Sequence, residues 1–157
     1  MVGIRKVSED ELPTPKYIDR KGFLERYWDY KPGQHVTFLA PTQAGKTTLA
    51  TQLLKQTLSP ELPGVVLIMK PRDKVAVDMI RDLHIQRLKS WPPSAALNPL
   101  QRKKFNGWAL WPPHTFDTDV DNDRLADEFG KALKDSYKKG DRVVFADETV
   151  GLVAELK

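Results

Sequence analysis

Apolar and polar positions follow two rhythms along this chain. Short apolar runs rich in β-branched and aromatic residues alternate with longer stretches in which apolar residues recur every three or four positions. The first run, His35-Val36-Thr37-Phe38-Leu39-Ala40, predicts a strand. Lys46 to about Leu58 predicts a helix with Leu49, Leu53, Leu54 and Leu58 on one side. Ser59-Pro60 and Pro63-Gly64 close that unit. Val65-Val66-Leu67-Ile68-Met69 predicts a second strand, apolar on both faces as in the middle of a parallel sheet. Asp73 to about Leu88 predicts a helix with Val77, Ile80, Leu83 or His84, and Leu88 as its inward stripe.

Between residues 90 and 118 the rhythm breaks around Trp91-Pro92-Pro93, Pro99, Gly107 and Trp111-Pro112-Pro113, with room for one short strand, Trp108–Trp111. Helix resumes near Asp121 and runs to about Lys138, with Leu125, Phe129, Leu133 and Tyr137 on one face and Gly140 as its stop. Arg142-Val143-Val144-Phe145-Ala146 predicts a buried strand that ends on two acids, Asp147 and Glu148. Residues 1–33 are polar and broken by Pro13, Pro15, Gly22, Pro32 and Gly33; they predict an extended arm with a short helix around Lys21–Tyr30. The expected organisation is therefore an arm over 1–33 and one α/β domain over 34–157. Strands alternating with helices predict a three-layer αβα domain with a mostly parallel sheet.

Composition narrows this picture only a little. The 157 residues suit one domain with a sizeable core, and 40% hydrophobic with 29% charged residues is ordinary for a soluble protein. No apolar run reaches the ~18 residues that span a bilayer. The first residues, Met1-Val2-Gly3-Ile4-Arg5-Lys6, turn charged without an apolar signal core. The absence of cysteine excludes a disulfide framework and thiolate metal sites, and fits a reducing cytoplasm, that of the host if the chain is phage-encoded. A net charge of +4 permits an anionic partner without requiring one.

The clearest chemistry lies between the first predicted strand and its helix. Ala40-Pro41-Thr42-Gln43-Ala44-Gly45-Lys46-Thr47-Thr48 follows the phosphate-loop pattern of Gly, four residues, Gly-Lys and a hydroxyl residue, with Ala40 in place of the first glycine. Such a loop turns main-chain N–H groups inward around phosphate oxygens. The helix behind it adds free N–H groups and a positive dipole end. Lys46 is expected to reach the β- and γ-phosphates and Thr47 to ligate Mg²⁺. The bland alternative is a chance Gly-Lys-Thr before a helix. Alanine at position 40 gives up easy access to positive φ and weakens the match slightly.

The four apolar residues before Asp147-Glu148 resemble a Walker B strand. Asp147 is then expected in the Mg²⁺ shell, and Glu148 to orient or deprotonate the attacking water, beside Lys46 as the catalytic cation. The alternative is a pair of acids that merely end a strand at the surface. No Asn-Lys-x-Asp guanine signature is present, so ATP is the expected nucleotide.

Other residues admit two readings each. Lys70-Pro71-Arg72-Asp73-Lys74, after the second strand, can approach phosphate at the carboxyl end of a parallel sheet, or be a solvated helix start. Arg102-Lys103-Lys104 is a second basic cluster. Trp91, Trp108 and Trp111 can stack on bases or, more commonly, form the small core of a proline-rich loop. Tyr27-Trp28-Asp29-Tyr30 can pack on adenine or under the sheet edge. His35, His84 and His114 have no metal-ligand spacing.

Gly33 to Lys74, with its phosphate-loop strand, helix and apolar strand ending in Lys70-Pro71-Arg72-Asp73, resembles the FtsK/HerA-type DNA translocases and related phage and plasmid packaging ATPases. Asp147-Glu148 extends the similarity to the chain's end, in the additional-strand, catalytic-glutamate division of P-loop NTPases. The resemblance implies ATP hydrolysis coupled to moving or loading DNA, commonly in a homo-oligomeric ring. In that division a further strand with a polar sensor residue follows the acidic pair and inserts between the two motif strands. The chain ends at Lys157, too soon for it. The expectation is a fragment of a longer ATPase, incomplete at its C-terminus. The alternatives are a strand supplied by a partner, or direct pairing of the motif strands as in P-loop kinases. A kinase would use Arg102, Lys103 and Lys104 on a lid and Asp147 on the metal. A module that binds nucleotide or DNA without turnover is the third reading.

Overall fold

The computed structural model describes residues 17–39, 41, 43–93 and 104–146. A short helix, α1 (Arg20–Arg26), opens them, capped by Asp19, whose carboxylate accepts from the Gly22 amide at 2.6 Å. None of its residues is buried. The segment behind it is tied down by Trp28, whose indole N–H donates to Thr57 Oγ1 at 3.0 Å and whose ring stacks on Tyr30.

The domain proper runs α2 (Lys46–Thr57), β1 (Gly64–Leu67), α3 (Lys74–Asp82), β2 (Gln86–Leu88), β3 (Gly107–Leu110), α4 (Thr118–Lys139) and β4 (Val143–Ala146). The four strands form one sheet in the order β2-β3-β1-β4, and every pairing is parallel. β1 is buried along its whole length because it has a strand on either side and helices on both faces. Its alternate side chains feed two cores. Val66 and Ile68 pack with Leu54 and Leu58 around α2 and with Ala76, Met79 and Leu83 of α3. Val65 and Leu67 pack with Leu110 and with Leu125, Phe129 and Ala132 of α4. Helices therefore cover both faces, and the expected three-layer α/β arrangement with a parallel sheet is present as a small four-stranded version.

Where β1 and β3 enter the sheet their backbones come unusually close, with Gly64 directly opposite Gly107. A methyl group built on Gly107 would sit 2.1 Å from the Gly64 carbonyl oxygen, and Gly107 has a φ of +140°. Both facts require glycine there.

Three expectations need correction. Residues 35–39 form no strand, and Leu39 is 91% exposed. The run has strand composition but no partner among the described residues, and β propensity without a neighbouring ladder does not make a strand. The helix expected over 73–88 stops at Asp82: His84 takes a φ of +54° and Gln86–Leu88 joins the sheet beside β3. The inward face of α3 is Ala76, Met79 and Leu83, while Val77 is half exposed. In α4, Leu125 and Phe129 are buried as expected, but Tyr137 is 90% exposed and Ala132 and Ser136 take the inward positions. Gly140 ends α4 in the left-handed conformation (φ +74°), as its place in the sequence predicts.

Candidate functional site

The Gly-Lys-Thr segment lies at the start of α2. Gln43 and Gly45 both have positive φ, 66° and 83°, and the Ala44 amide donates to the Pro41 carbonyl at 3.2 Å. Alternation of left-handed with ordinary residues turns successive N–H groups toward one concavity, the geometry called a nest. Gly45 serves as the N-cap of α2 and offers no side chain to cap it. The opening turn of the helix thus presents its amide groups outward, along the helix axis. Lys46 Nζ donates to Pro41 O at 2.9 Å, so the ammonium is folded over the loop. Thr47 is half buried; its carbonyl accepts from Thr51 Oγ1 at 2.8 Å. Thr48 is exposed. Ala40, Thr42, Asp147 and Glu148 lie outside the described residues, as do Arg102 and Lys103.

Thr47 shares a narrow cleft with Met69, Lys70 and Asp73, from the end of β1 and the start of α3, and with Phe145 of β4. Four elements therefore converge there: the start of α2, the carboxyl end of β1, the start of α3 and the carboxyl-terminal half of β4. In an open parallel sheet this is the edge where ligands bind. Asp73 is already engaged, capping α3 through the Ala76 amide at 3.0 Å.

The turn after β1 is braced by Trp111, whose indole N–H donates to Lys70 O at 2.8 Å. Arg72 is exposed, with its guanidinium 6.0 Å from the centre of the Phe116 ring. Phe116 has a φ of 67° and is held by Asp121, whose carboxylate accepts from the Thr115 and Phe116 amides and from the Thr115 hydroxyl. The Thr115 amide above all, against the upward push of burial, keeps the Asp121 carboxyl below its usual range.

Base stacking by the tryptophans is not what their placement serves. Trp91 and Trp111 are buried. The Arg142 guanidinium lies 5.2 Å from the Trp91 ring and 5.3 Å from that of Trp108, and Arg87 lies 4.1 Å from that of Trp111. Trp91 also takes Glu128 of α4 as acceptor for its amide. Trp91 and Trp108 pack in the core between the sheet and α4, and Trp111 in the core with α2 and α3. Among the described residues no group of three His, Asp or Glu side chains is disposed to hold a metal, and no helix is long and apolar enough to cross a membrane.

Residues 34–38 form no strand and, with Val143, Val144 and Phe145 of β4, Ala50, Leu53 and Leu54 of α2, and Trp28 and Tyr30, line a cavity of about 210 Å³. The two motif segments therefore do not pair directly: among the described residues β4 has a strand, β1, on one side only. Tyr30 packs against the core that includes Val143 of β4, and Trp28 stacks on Tyr30.

One group at the loop carried no signal in the sequence. Arg20, the first residue of α1, places Nη2 3.5 Å from the position that a Gly45 methyl group would occupy. No spacing rule ties position 20 to position 45; only docking of the arm brings them together.

No family model, curated protein or solved structure matches this chain.

Proposed function

We propose that the chain is a P-loop domain that binds ATP with Mg²⁺ and hydrolyses it, as part of a motor that moves or packages DNA. The observation that carries the proposal is the left-handed pair Gln43 and Gly45 leading directly into Lys46 and Thr47 at the start of α2, on the ligand-binding edge of a parallel sheet. The residues fit a polyphosphate. The amides from Gln43 to Thr48 would surround the β-phosphate, and Lys46 would leave Pro41 O for the phosphate oxygens. Thr47 would supply a hydroxyl ligand to Mg²⁺, with Asp147 behind β4 in the same shell. Mg²⁺, when bound, supplies charge neutralisation on the transferred phosphoryl group. Glu148 would accept the proton of the attacking water.

Coupling to DNA, and a ring of identical subunits, rest on the resemblance of the Lys70-Pro71-Arg72-Asp73 turn and the acidic pair to translocase sequences. Direct pairing of residues 35–39 with β4 would have favoured a kinase; residues 35–39 form no strand, so that support is missing. Phosphate release measured with and without double-stranded DNA tests the motor. The expected result is Mg-dependent hydrolysis that DNA stimulates and Lys46→Ala abolishes. Tight binding of Mg-ATP with no release under any condition would leave a nucleotide-binding module instead. Hydrolysis indifferent to both DNA and oligomer formation would remove the motor role.

A further inference from the structure

The phosphate loop gathers more positive charge than its own sequence pattern supplies. Lys46 stands there, and so does the positive end of the twelve-residue helix α2. Arg20 adds a third contribution by bringing Nη2 within 3.5 Å of the space beside Gly45. No ion pair holds Arg20 among the described residues. Its neighbour Asp19 is occupied as the cap of α1, accepting from the Gly22 amide. Like charges converging on a concave run of amides raise the energy of the empty site and lower it when an anion enters. A guanidinium suits this role better than a second ammonium, because its planar fork donates two parallel bonds to phosphate oxygens.

The arm is built to deliver this group. The Asp19 cap fixes the first turn of α1, in which Arg20 is the first residue. Phe23 packs at an angle against Trp28, and Trp28 is bonded to Thr57 at the far end of α2. The helix that carries the loop therefore also carries the segment that returns an arginine to it.

We infer that Arg20 is a polyphosphate-binding residue, supplied by the N-terminal arm to the phosphate loop. This rests on the nucleotide reading of the loop and adds to it a ligand contact from outside the motif. It also makes the arm responsive to nucleotide: α1, with no buried residue of its own, gains an anchor when a polyphosphate bridges Arg20 and the loop.

The test is calorimetric binding of inorganic tripolyphosphate and of Mg-ATP to the full chain and to four variants, Lys46→Ala, Arg20→Ala, Arg20→Lys and Lys21→Ala. Arg20→Ala is expected to weaken both ligands by about tenfold or more, and Arg20→Lys to recover part of the loss. Lys21→Ala, whose partner Glu25 lies on the same exposed face, should stay within about twofold of wild type. The thermal midpoint of unliganded Arg20→Ala should equal that of wild type, because the side chain is exposed; a purely structural role would lower it. Binding that Lys46→Ala weakens and Arg20→Ala leaves intact overturns the role of Arg20 alone. A wild-type chain that binds neither ligand overturns the nucleotide reading as well.

Discussion

Gly107 sits where two backbones nearly touch, so a single methyl group has nowhere to go. The obstructing atoms are main chain, the Gly64 carbonyl oxygen at 2.1 Å and nitrogen at 2.4 Å, which cannot swing aside as a side chain would. Gly107→Ala must part β1 from β3 at their entry, and the expected loss is roughly 2–4 kcal/mol by denaturant titration. Gly33 makes a useful comparison: it also has positive φ but open space around it, so Gly33→Ala carries conformational strain without a collision and should lose less. Asp121 gives a residue-scale prediction for pH. Its folded pKa is depressed, chiefly by the Thr115 amide. The stabilisation is therefore complete above the unfolded value of about 3.9 and is lost as pH falls through the lower folded value. Acid unfolding followed by circular dichroism should show Asp121→Asn less stable than wild type at pH 7 and less sensitive to acid below about pH 4. Equal acid sensitivity in the two proteins would remove Asp121 from the account. Asp135 acts in the same direction: burial raises its pKa, but bonds from Arg142 and Lys139 outweigh that and lower it.

At the scale of elements, the join between α4 and β4 rests on one side chain. Arg142 is almost wholly buried, donates to Asp135 at 2.6 Å and lies against both the Trp91 and Trp108 rings. Arg142→Lys keeps the charge but loses the planar contact with both rings, so it should cost stability, by about 1–2 kcal/mol; Arg142→Ala should cost more. Chemical denaturation of both variants checks the order, and equal losses would show that charge alone matters. Elements such as this were legible to different degrees. β1, β3, α2 and α4 were readable because burial on both faces, or an apolar stripe of helical period, marks them locally. β2 was hidden inside an apparent helix: Val77, Ile80, Leu83 or His84, and Leu88 suit a helical spacing, and only the left-handed turn at His84 and pairing with β3 redirect the chain. Residues 35–39 failed the other way. Val36, Thr37 and Phe38 have every local property of a strand, yet pairing is a property of two segments, and no described strand pairs with them. A consequence is measurable by hydrogen exchange. Amides of β1, which has neighbours on both sides, should exchange much more slowly than those of β4, which has one among the described residues.

For the whole molecule, what matters is that separate stretches of chain meet at one edge. Thr47 comes from α2, Lys70 from the turn after β1 and Phe145 from β4, yet they line a single cleft. The sequence pattern indicated the loop and the acidic strand as separate signals; the parallel order β1-β4 brings the end of one toward the start of α2. It could not indicate Arg20, whose approach depends on how the arm docks through Trp28 and Thr57. If this edge holds Mg-ATP, ligand binding and folding are linked. At a free concentration one hundred times its Kd, a ligand that binds only the folded state adds about 2.7 kcal/mol. In a domain of this size that corresponds to a rise of roughly 5–10 °C in the thermal midpoint. Lys46→Ala should erase most of the rise at the same nucleotide concentration. Differential scanning calorimetry on both proteins, with Mg-ATP and with magnesium alone, separates the outcomes. An equal rise in both would mean that nucleotide binds elsewhere on the molecule, and the meeting of α2, β1 and β4 at this edge would then need another explanation.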